Sequence, residues 1–328
     1  MKPILWMESF SEEEEAVKRL SPPENEILFF DSPLQQLNTD ELPDRFIATI
    51  RTHSTFSKET AAKAECVISR STGYDHLLEQ REKLSDIPVG HLSEYATDAV
   101  AEHNLTVSLS LLKHLRRQLN AMTDFSRDNL TGYDLHDRDI GIVGVGNIGE
   151  ATARLFMNLG HTVTGHDINP RDYLRKMDQF SYCSLEELFQ KSDLVILCLP
   201  HTETTEGMIT ASLLRSMPDN SLLVNAGRGE VVSSTDLLKA LEEGQLTGLA
   251  IDVYNHEDQL ARRLSDGSSR KSSDQEVQAN LKLIEDERVI ATPHNAFNTK
   301  GAVETKVKYT LDNIREFRQS GTVKNPVG

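Results

Sequence analysis

Cysteine is scarce in this chain: three in 328 residues, at positions 66, 183 and 198, and no two form a Cys-x-x-Cys pair. Neither a zinc knuckle nor a dithiol redox motif is implied, and no metal site is expected. Free thiols suit a reducing cytoplasm. Cys198, inside the apolar run 194–199, reads as a small buried hydrophobe. Basic residues are also in deficit. Lys and Arg number 35 against 51 Asp and Glu, for a formal net charge of -16. That balance argues against nucleic acid and against an anionic membrane surface. A small anionic partner would need a local positive group. Long hydrophobic runs are missing as well. Residues 4–7 are too short an apolar core for a signal peptide, and no run approaches membrane-spanning length. There is no short-period repeat and no low-complexity tract. What is present, 38% hydrophobic and 26% charged residues, is an ordinary globular composition at a length that suits two domains.

Short apolar runs alternate with charged helical stretches. Residues 4–7, 26–30, 46–50 and 66–69 are strand candidates, with a helix predicted over 57–64. Ser11 and Glu14 are spaced as a capping box opening a helix to Leu20. Residues 99–121 carry apolar positions at Val100, Leu105, Leu109, Leu112 and Leu115, which predicts one long helix, long enough to connect two domains. A second round of strands and helices follows from residue 139, and residues 299–319 return to helical periodicity. Strands separated by helices imply parallel sheets. The polar stretch 265–273 reads as a surface loop.

Gly144-Val145-Gly146-Asn147-Ile148-Gly149 fits G-x-G-x-x-G. Alone the motif is weak. Here an apolar strand (Ile140-Gly141-Ile142-Val143) precedes it, and small residues of a helix follow. Gly144 permits the tight turn, Gly146 lets a pyrophosphate approach the backbone, and Gly149 allows close helix–strand packing. Free amides at the helix start, from Asn147 and Ile148 onward, face the phosphates. About twenty residues on, Asp167 ends a second strand, where its carboxylate would accept hydrogen bonds from the adenosine ribose and repel a 2′-phosphate. NAD is therefore expected over NADP. Arg171 lies near enough in sequence to bear on that preference.

Three later segments supply an arginine, a carboxylate and an imidazole in that order: Asn225-Ala226-Gly227-Arg228-Gly229, Asp252-Val253-Tyr254-Asn255-His256-Glu257, and Thr292-Pro293-His294-Asn295-Ala296-Phe297. Reduction of a 2-keto acid needs this set. A guanidinium grips the carboxylate in a two-pronged fork, an imidazolium hands over a proton, and a carboxylate beside the imidazole keeps it charged and oriented. Each has a bland alternative: a surface arginine, one acid among polar neighbours, a buried structural histidine.

On these segments the chain resembles the D-isomer-specific 2-hydroxyacid dehydrogenases over nearly its whole length. His294-Asn295-Ala296-Phe297 is similar to the D-lactate dehydrogenase branch. The resemblance implies an α/β fold of two Rossmann-like, doubly wound parallel-sheet domains. The cofactor domain (102–297) would be inserted into the substrate domain (1–101 plus 298–328). It implies catalytic roles for Arg228, Glu257 and His294. Cofactor contacts are implied at Pro200, His201, Thr205, Ala226, Asp252 and Ala296, beside the glycine-rich loop. Substrate contacts are implied at Thr72, Gly73, Arg228 and His294, with the two loop amides holding the carboxylate. The expected activity is NAD-dependent interconversion of a 2-keto acid and a D-2-hydroxy acid. The expected assembly is a homodimer. The family commonly carries proline after the glutamate; here the residue is Asp258. Other readings are glyoxylate or hydroxypyruvate reductase, phosphoglycerate dehydrogenase, and a non-catalytic NAD-sensing protein of the corepressor type.

Overall fold

The computed structural model describes residues 2–265 and 271–327. The chain divides into two compact units, residues 1–96 with 298–328, and residues 97–297. The second is thus an insertion in the first.

In the first unit the strands are β1 (Ile4–Trp6), β2 (Ile27–Phe29), β3 (Phe46–Ile50), β4 (Ala64–Ser69) and β5 (Val89–Gly90), all parallel, in the order β2-β1-β3-β4-β5. Helices α1 (Ser11–Leu20), α2 (Lys58–Lys63) and α3 (Asp75–Leu78) connect them. Alternate residues serve opposite faces. Ile4, Trp6, Ile47, Cys66 and Ile68 enter one core, while Leu5, Met7, Phe46, Ala48 and Val67 enter the other. A sheet covered on both faces reads as short, wholly apolar runs. The capping box expected at Ser11 does not form. The Phe10 carbonyl accepts the Glu13 and Glu14 amides, each at 3.0 Å, so the helix already begins at Ser11 with Phe10 at the cap, and Glu14 Oε1 accepts instead from Ser9 Oγ at 2.8 Å. At α2 a capping box does form, between Ser57 and Thr60.

The second unit opens with α4 (Thr97–Leu112) and α5 (Leu115–Ala121). The single helix expected over 99–121 is broken at His114, whose φ is 48°. The Leu112 carbonyl is taken from outside the helix by the Tyr133 amide at 2.8 Å, which ends the α4 ladder. Then come β6 (Ile140–Val143), α6 (Asn147–Asn158), β7 (Val163–His166), β8 (Phe180–Tyr182), α7 (Leu185–Lys191), β9 (Leu194–Leu197), α8 (Ala211–Ser216), β10 (Ser221–Asn225), α9 (Ser234–Glu242), β11 (Leu246–Ile251), α10 (Glu257–Ser265), α11 (Gln275–Glu285) and β12 (Val289–Ala291). The helix α12 (Lys300–Ser320) returns to the first unit. The loop expected over 265–273 falls partly on residues 266–270, which lie outside the described residues. Its flanks are helical, α10 before and α11 after.

The seven strands are parallel in the order β12-β11-β10-β9-β6-β7-β8. From β6 the chain winds outward through β7 and β8, then returns to lay β9 on the other side of β6. That reversal is a topological switch point, where loops at the carboxyl ends of the strands part into a crevice. Two apolar layers cover the sheet, one containing Val195, Leu197, Leu223, Leu249 and Ile251, the other Ile142, Ile196, Leu222, Val224 and Ala250.

Candidate active site

Every residue of the second unit singled out from the sequence lies beyond the carboxyl end of a parallel strand: Gly144 after β6, Asp167 after β7, Pro200 to Thr205 after β9, Ala226 and Arg228 after β10, Asp252 and Glu257 after β11, His294 and Ala296 after β12.

In the first loop Gly144 has φ of 86°, and its amide bonds the His166 carbonyl at 2.8 Å. Gly146 is the cap residue of α6, so Asn147 and Ile148 open that helix. A Cβ on Gly149 would lie 2.0 Å from the Gly144 carbonyl oxygen, so only glycine lets the helix start this close to the turn. A Cβ on Gly146 would meet no protein atom within 4 Å; it would project into open space at the helix start. Asp167 accepts from the Val145 amide at 2.7 Å with one oxygen and from the Asn169 amide at 2.7 Å with the other. Its carboxylate is thereby fixed against the glycine-rich loop. After β9, Thr205 donates to the Pro200 carbonyl at 2.6 Å and accepts from the Thr202 amide at 2.9 Å, closing the turn that carries His201.

The imidazole and the carboxylate proposed from separate segments meet. His294 Nδ1 lies 2.8 Å from Glu257 Oε1, with both side chains part-buried. The carboxylate accepts the Nδ1 hydrogen, which leaves Nε2 as the nitrogen available for chemistry. Glu257 is the first residue of α10, so Asp258 in place of proline still leaves a helix start that presents the acid. His294 has φ of 48°, in the left-handed region that residues other than glycine seldom adopt. Asp252 holds it there. Its buried carboxylate accepts from Thr292 Oγ1 at 2.6 Å, the Asn295 amide at 2.7 Å and the Ala296 amide at 2.9 Å. Three donors on both sides of His294 pin the turn on which the imidazole stands.

The arginine segment is stitched to the same scaffold by neighbours to which the motifs assign no role. Asn225 donates to the Arg228 carbonyl at 2.9 Å and accepts from the Gly227 amide at 3.1 Å. Asn255, two residues before Glu257, donates to the Gly229 carbonyl at 3.0 Å and the Val232 carbonyl at 2.7 Å. Its own carbonyl accepts from Asn280 at 2.9 Å. Tyr254 donates to the Thr292 carbonyl at 2.7 Å, and burial pushes its hydroxyl up, with Asp252 and Glu257 adding to the shift. It remains a donor at any working pH. One signal for this seam was in the sequence: a Cβ on Gly229 would lie 2.2 Å from the Tyr254 carbonyl carbon, so the second glycine of Gly-Arg-Gly marks where two backbones touch. Arg228 Nη1 donates to the Gly227 carbonyl at 2.9 Å.

In the first unit, Thr72 and Gly73 lie on the loop between β4 and α3. Ser71 donates to the Gly73 carbonyl at 2.7 Å, and Ser69 Oγ contacts both Ser71 Oγ at 2.7 Å and His76 Nε2 at 3.0 Å. Among the described residues, neither the Thr72 nor the Gly73 amide is used in a main-chain bond.

Residues 105–296 match the model of the D-isomer specific 2-hydroxyacid dehydrogenase NAD binding domain. The chain belongs to the D-isomer specific 2-hydroxyacid dehydrogenase family. It is 32% identical to a D-lactate dehydrogenase of Treponema pallidum over 255 residues, covering 77% of this chain and 75% of that one. It is 33% identical to a 2-hydroxyacid dehydrogenase homolog of Schizosaccharomyces pombe over 251 residues, 76% of this chain and 74% of that one. Among solved structures, the D-lactate dehydrogenase of Aquifex aeolicus complexed with NAD and lactic acid superposes with a TM-score of 0.83 at 27% identity, over 99% of this chain and 98% of that one. The chain is thus an oxidoreductase of this family, in its D-lactate dehydrogenase-like branch, and its cofactor is NAD. The residues fit that group. The open space above Gly146 at the start of α6 suits a pyrophosphate, and Asp167, fixed at the end of β7, suits a ribose. No helix among the described residues is long and apolar enough to cross a membrane.

Proposed function

We propose that this dehydrogenase interconverts a small 2-keto acid and the D-2-hydroxy acid, with His294 as acid and base and Arg228 as the carboxylate-binding group. The observation that carries the reading is the 2.8 Å contact between His294 Nδ1 and Glu257, on the unit that bears the dinucleotide loop. NADH, held by the glycine-rich loop and Asp167, would supply the hydride that reduces the substrate's carbonyl carbon. His294, protonated and oriented by Glu257, gives its Nε2 proton to the carbonyl oxygen as charge develops there. Arg228 holds the carboxylate and stabilises that developing charge through paired, directional donors. In the oxidative direction His294 takes the proton back. The amides of Thr72 and Gly73 are further donors to the substrate carboxylate in this reading. The cofactor contacts are those of the glycine-rich loop, Asp167, Pro200, His201, Thr205, Ala226, Asp252 and Ala296.

Pyruvate and D-lactate are the proposed pair, supported by the relatives named D-lactate dehydrogenase. A cytoplasmic homodimer is the proposed form. The exposed stripe Leu115, Leu119, Met122 and Phe125, along α5 and just past it, supports association, because exposed apolar residues at helical spacing ordinarily find a partner. The test is NADH oxidation against pyruvate, glyoxylate, hydroxypyruvate, phenylpyruvate, 2-ketoisocaproate and oxaloacetate, with D- and L-lactate in the reverse direction. Fast turnover of pyruvate, with D-lactate alone oxidised, is expected. Tight NADH binding without turnover of any acid would overturn the reading.

A further inference from the structure

We propose that NADPH is discriminated against by a second carboxylate besides Asp167: Glu150, which occupies Arg171 and so withholds it from a phosphate on the adenosine ribose. The inference rests on the reading of Asp167 as the ribose-binding residue. Arg171 stands four residues beyond Asp167, in the stretch following β7, and an arginine near that strand end is what accommodates a 2′-phosphate in dinucleotide folds. By sequence alone Asp167 favours NAD, while Arg171 is placed to receive a 2′-phosphate.

The structure shows where the guanidinium goes. Arg171 Nη1 donates to Glu150 Oε2 and Nη2 donates to Asn147 Oδ1, both on the first turn of α6, and Nη1 also lies 3.1 Å from the Tyr173 hydroxyl. Tyr173 donates to the same Glu150 oxygen. The other oxygen, Oε1, accepts from Arg154 Nε at 2.8 Å and Nη2 at 2.7 Å. One carboxylate thus engages two guanidiniums and a phenol. Its side chain is only 12% exposed, against 30% for Arg171, so the Glu150–Arg171 pair is less screened than an open surface pair. Burial raises the Glu150 carboxyl, but the bonds from Tyr173, Arg154 and Arg171 outweigh it, and the group stays charged.

The consequence is electrostatic. A 2′-phosphate arriving beside Asp167 meets that carboxylate, and the arginine that would receive it is already neutralised. Recruiting Arg171 would mean exchanging one charge-assisted pair for another, with little net gain. Glu150 is in this sense a specificity residue acting through Arg171.

The experiment is equilibrium binding of NADH and NADPH, read by nucleotide fluorescence and therefore independent of the keto acid. The proteins are wild type, Asp167→Ala, Glu150→Gln, the double variant, and the double variant with Arg171→Gln. Glutamine keeps the shape and acceptor of Glu150 without its charge. Asp167→Ala is expected to shift the ratio of affinities toward NADPH. Adding Glu150→Gln is expected to shift it further by about tenfold, the scale of one charge-assisted bond, and Arg171→Gln is expected to cancel that second gain. A ratio unchanged by Glu150→Gln in both backgrounds, or a gain that survives Arg171→Gln, would overturn the proposal. A ratio unmoved by Asp167→Ala alone would instead show that the ribose reading has failed.

Discussion

Glu13→Gln should unfold the first unit far more readily than its place on an acidic helix suggests. Glu13 sits in the run Glu12 to Glu15, which reads from sequence as charge suited to a helix start. In the structure its side chain is fully buried. It lies 3.2 Å from Arg70 Nη2 and 2.7 Å from Lys306 Nζ, both also buried. Arg70 further donates to the Thr49 and Met7 carbonyls. Burial alone would raise the Glu13 carboxyl; Arg70 and Lys306 overcome it and lower the group from 4.5 to about 2. At about 1.4 kcal/mol per pH unit that difference is about 3 kcal/mol of stability. It agrees with the roughly 3–5 kcal/mol lost when one member of a buried ion pair is removed and its partner is left uncompensated. The folded value lies below the unfolded one, so this stability is complete above pH 4.5 and is lost as pH falls toward 2. Lys306 has the opposite leaning. Burial pulls its ammonium down from 10.5 to about 8 in spite of Glu13, so its charged form is a cost to the fold that rising pH relieves between those values. The assay is built in. Trp6 is the chain's single tryptophan, buried in the first unit with the Arg70 guanidinium 4.8 Å from its ring centroid. Its fluorescence during a guanidinium titration therefore reports this unit alone, which matters because a two-unit chain need not unfold in one step. Glu13→Gln should cost about 3 kcal/mol at pH 7, with about 2 kcal/mol of the gap gone by pH 3. A loss below about 1 kcal/mol, or a gap that ignores pH, would refute the reasoning.

His294→Ala should cut turnover by about 10²–10⁴-fold, the range for loss of a positioned acid, while NADH still binds; full activity would remove His294 from the mechanism. Asn255→Ala should leave the Gly229 and Val232 carbonyls without their side-chain donor. About 1–3 kcal/mol of stability in the second unit should go with it, together with much of kcat; calorimetry and steady-state kinetics in parallel check both, and unchanged kcat would mean the Arg228 segment holds its place unaided. Leu119→Glu with Phe125→Glu, two exposed positions, should halve the mass seen by light scattering if the α5 stripe is the dimer contact, and leave it unchanged if association lies elsewhere.

Glycine, charge and order along the chain carried much of the reading. Gly144, Gly146 and Gly149 followed by Asp167 were legible because a tight turn, an open backbone and a close helix start each need a particular residue at a particular spacing. The parallel sheets were legible because strands alternate with helices, and a chain that crosses over through a helix lays its next strand in the same direction. Other features depended on contacts far apart in sequence. Nothing local shows that Glu13 is buried, because its partners stand 57 and 293 residues away. The break at His114 depends on a carbonyl captured by Tyr133, and the engagement of Arg171 depends on Glu150 lying across a strand–helix turn. Asn255 looked like one polar residue among several until the fold laid it under the Arg228 segment. The sequence by itself determined which chemical groups the chain possesses and the strand-to-loop rhythm that delivers them to one edge of a sheet. Only the tertiary structure decided which charges are paired, because pairing is set by distance through space, and distance through space is what the folded sheets create.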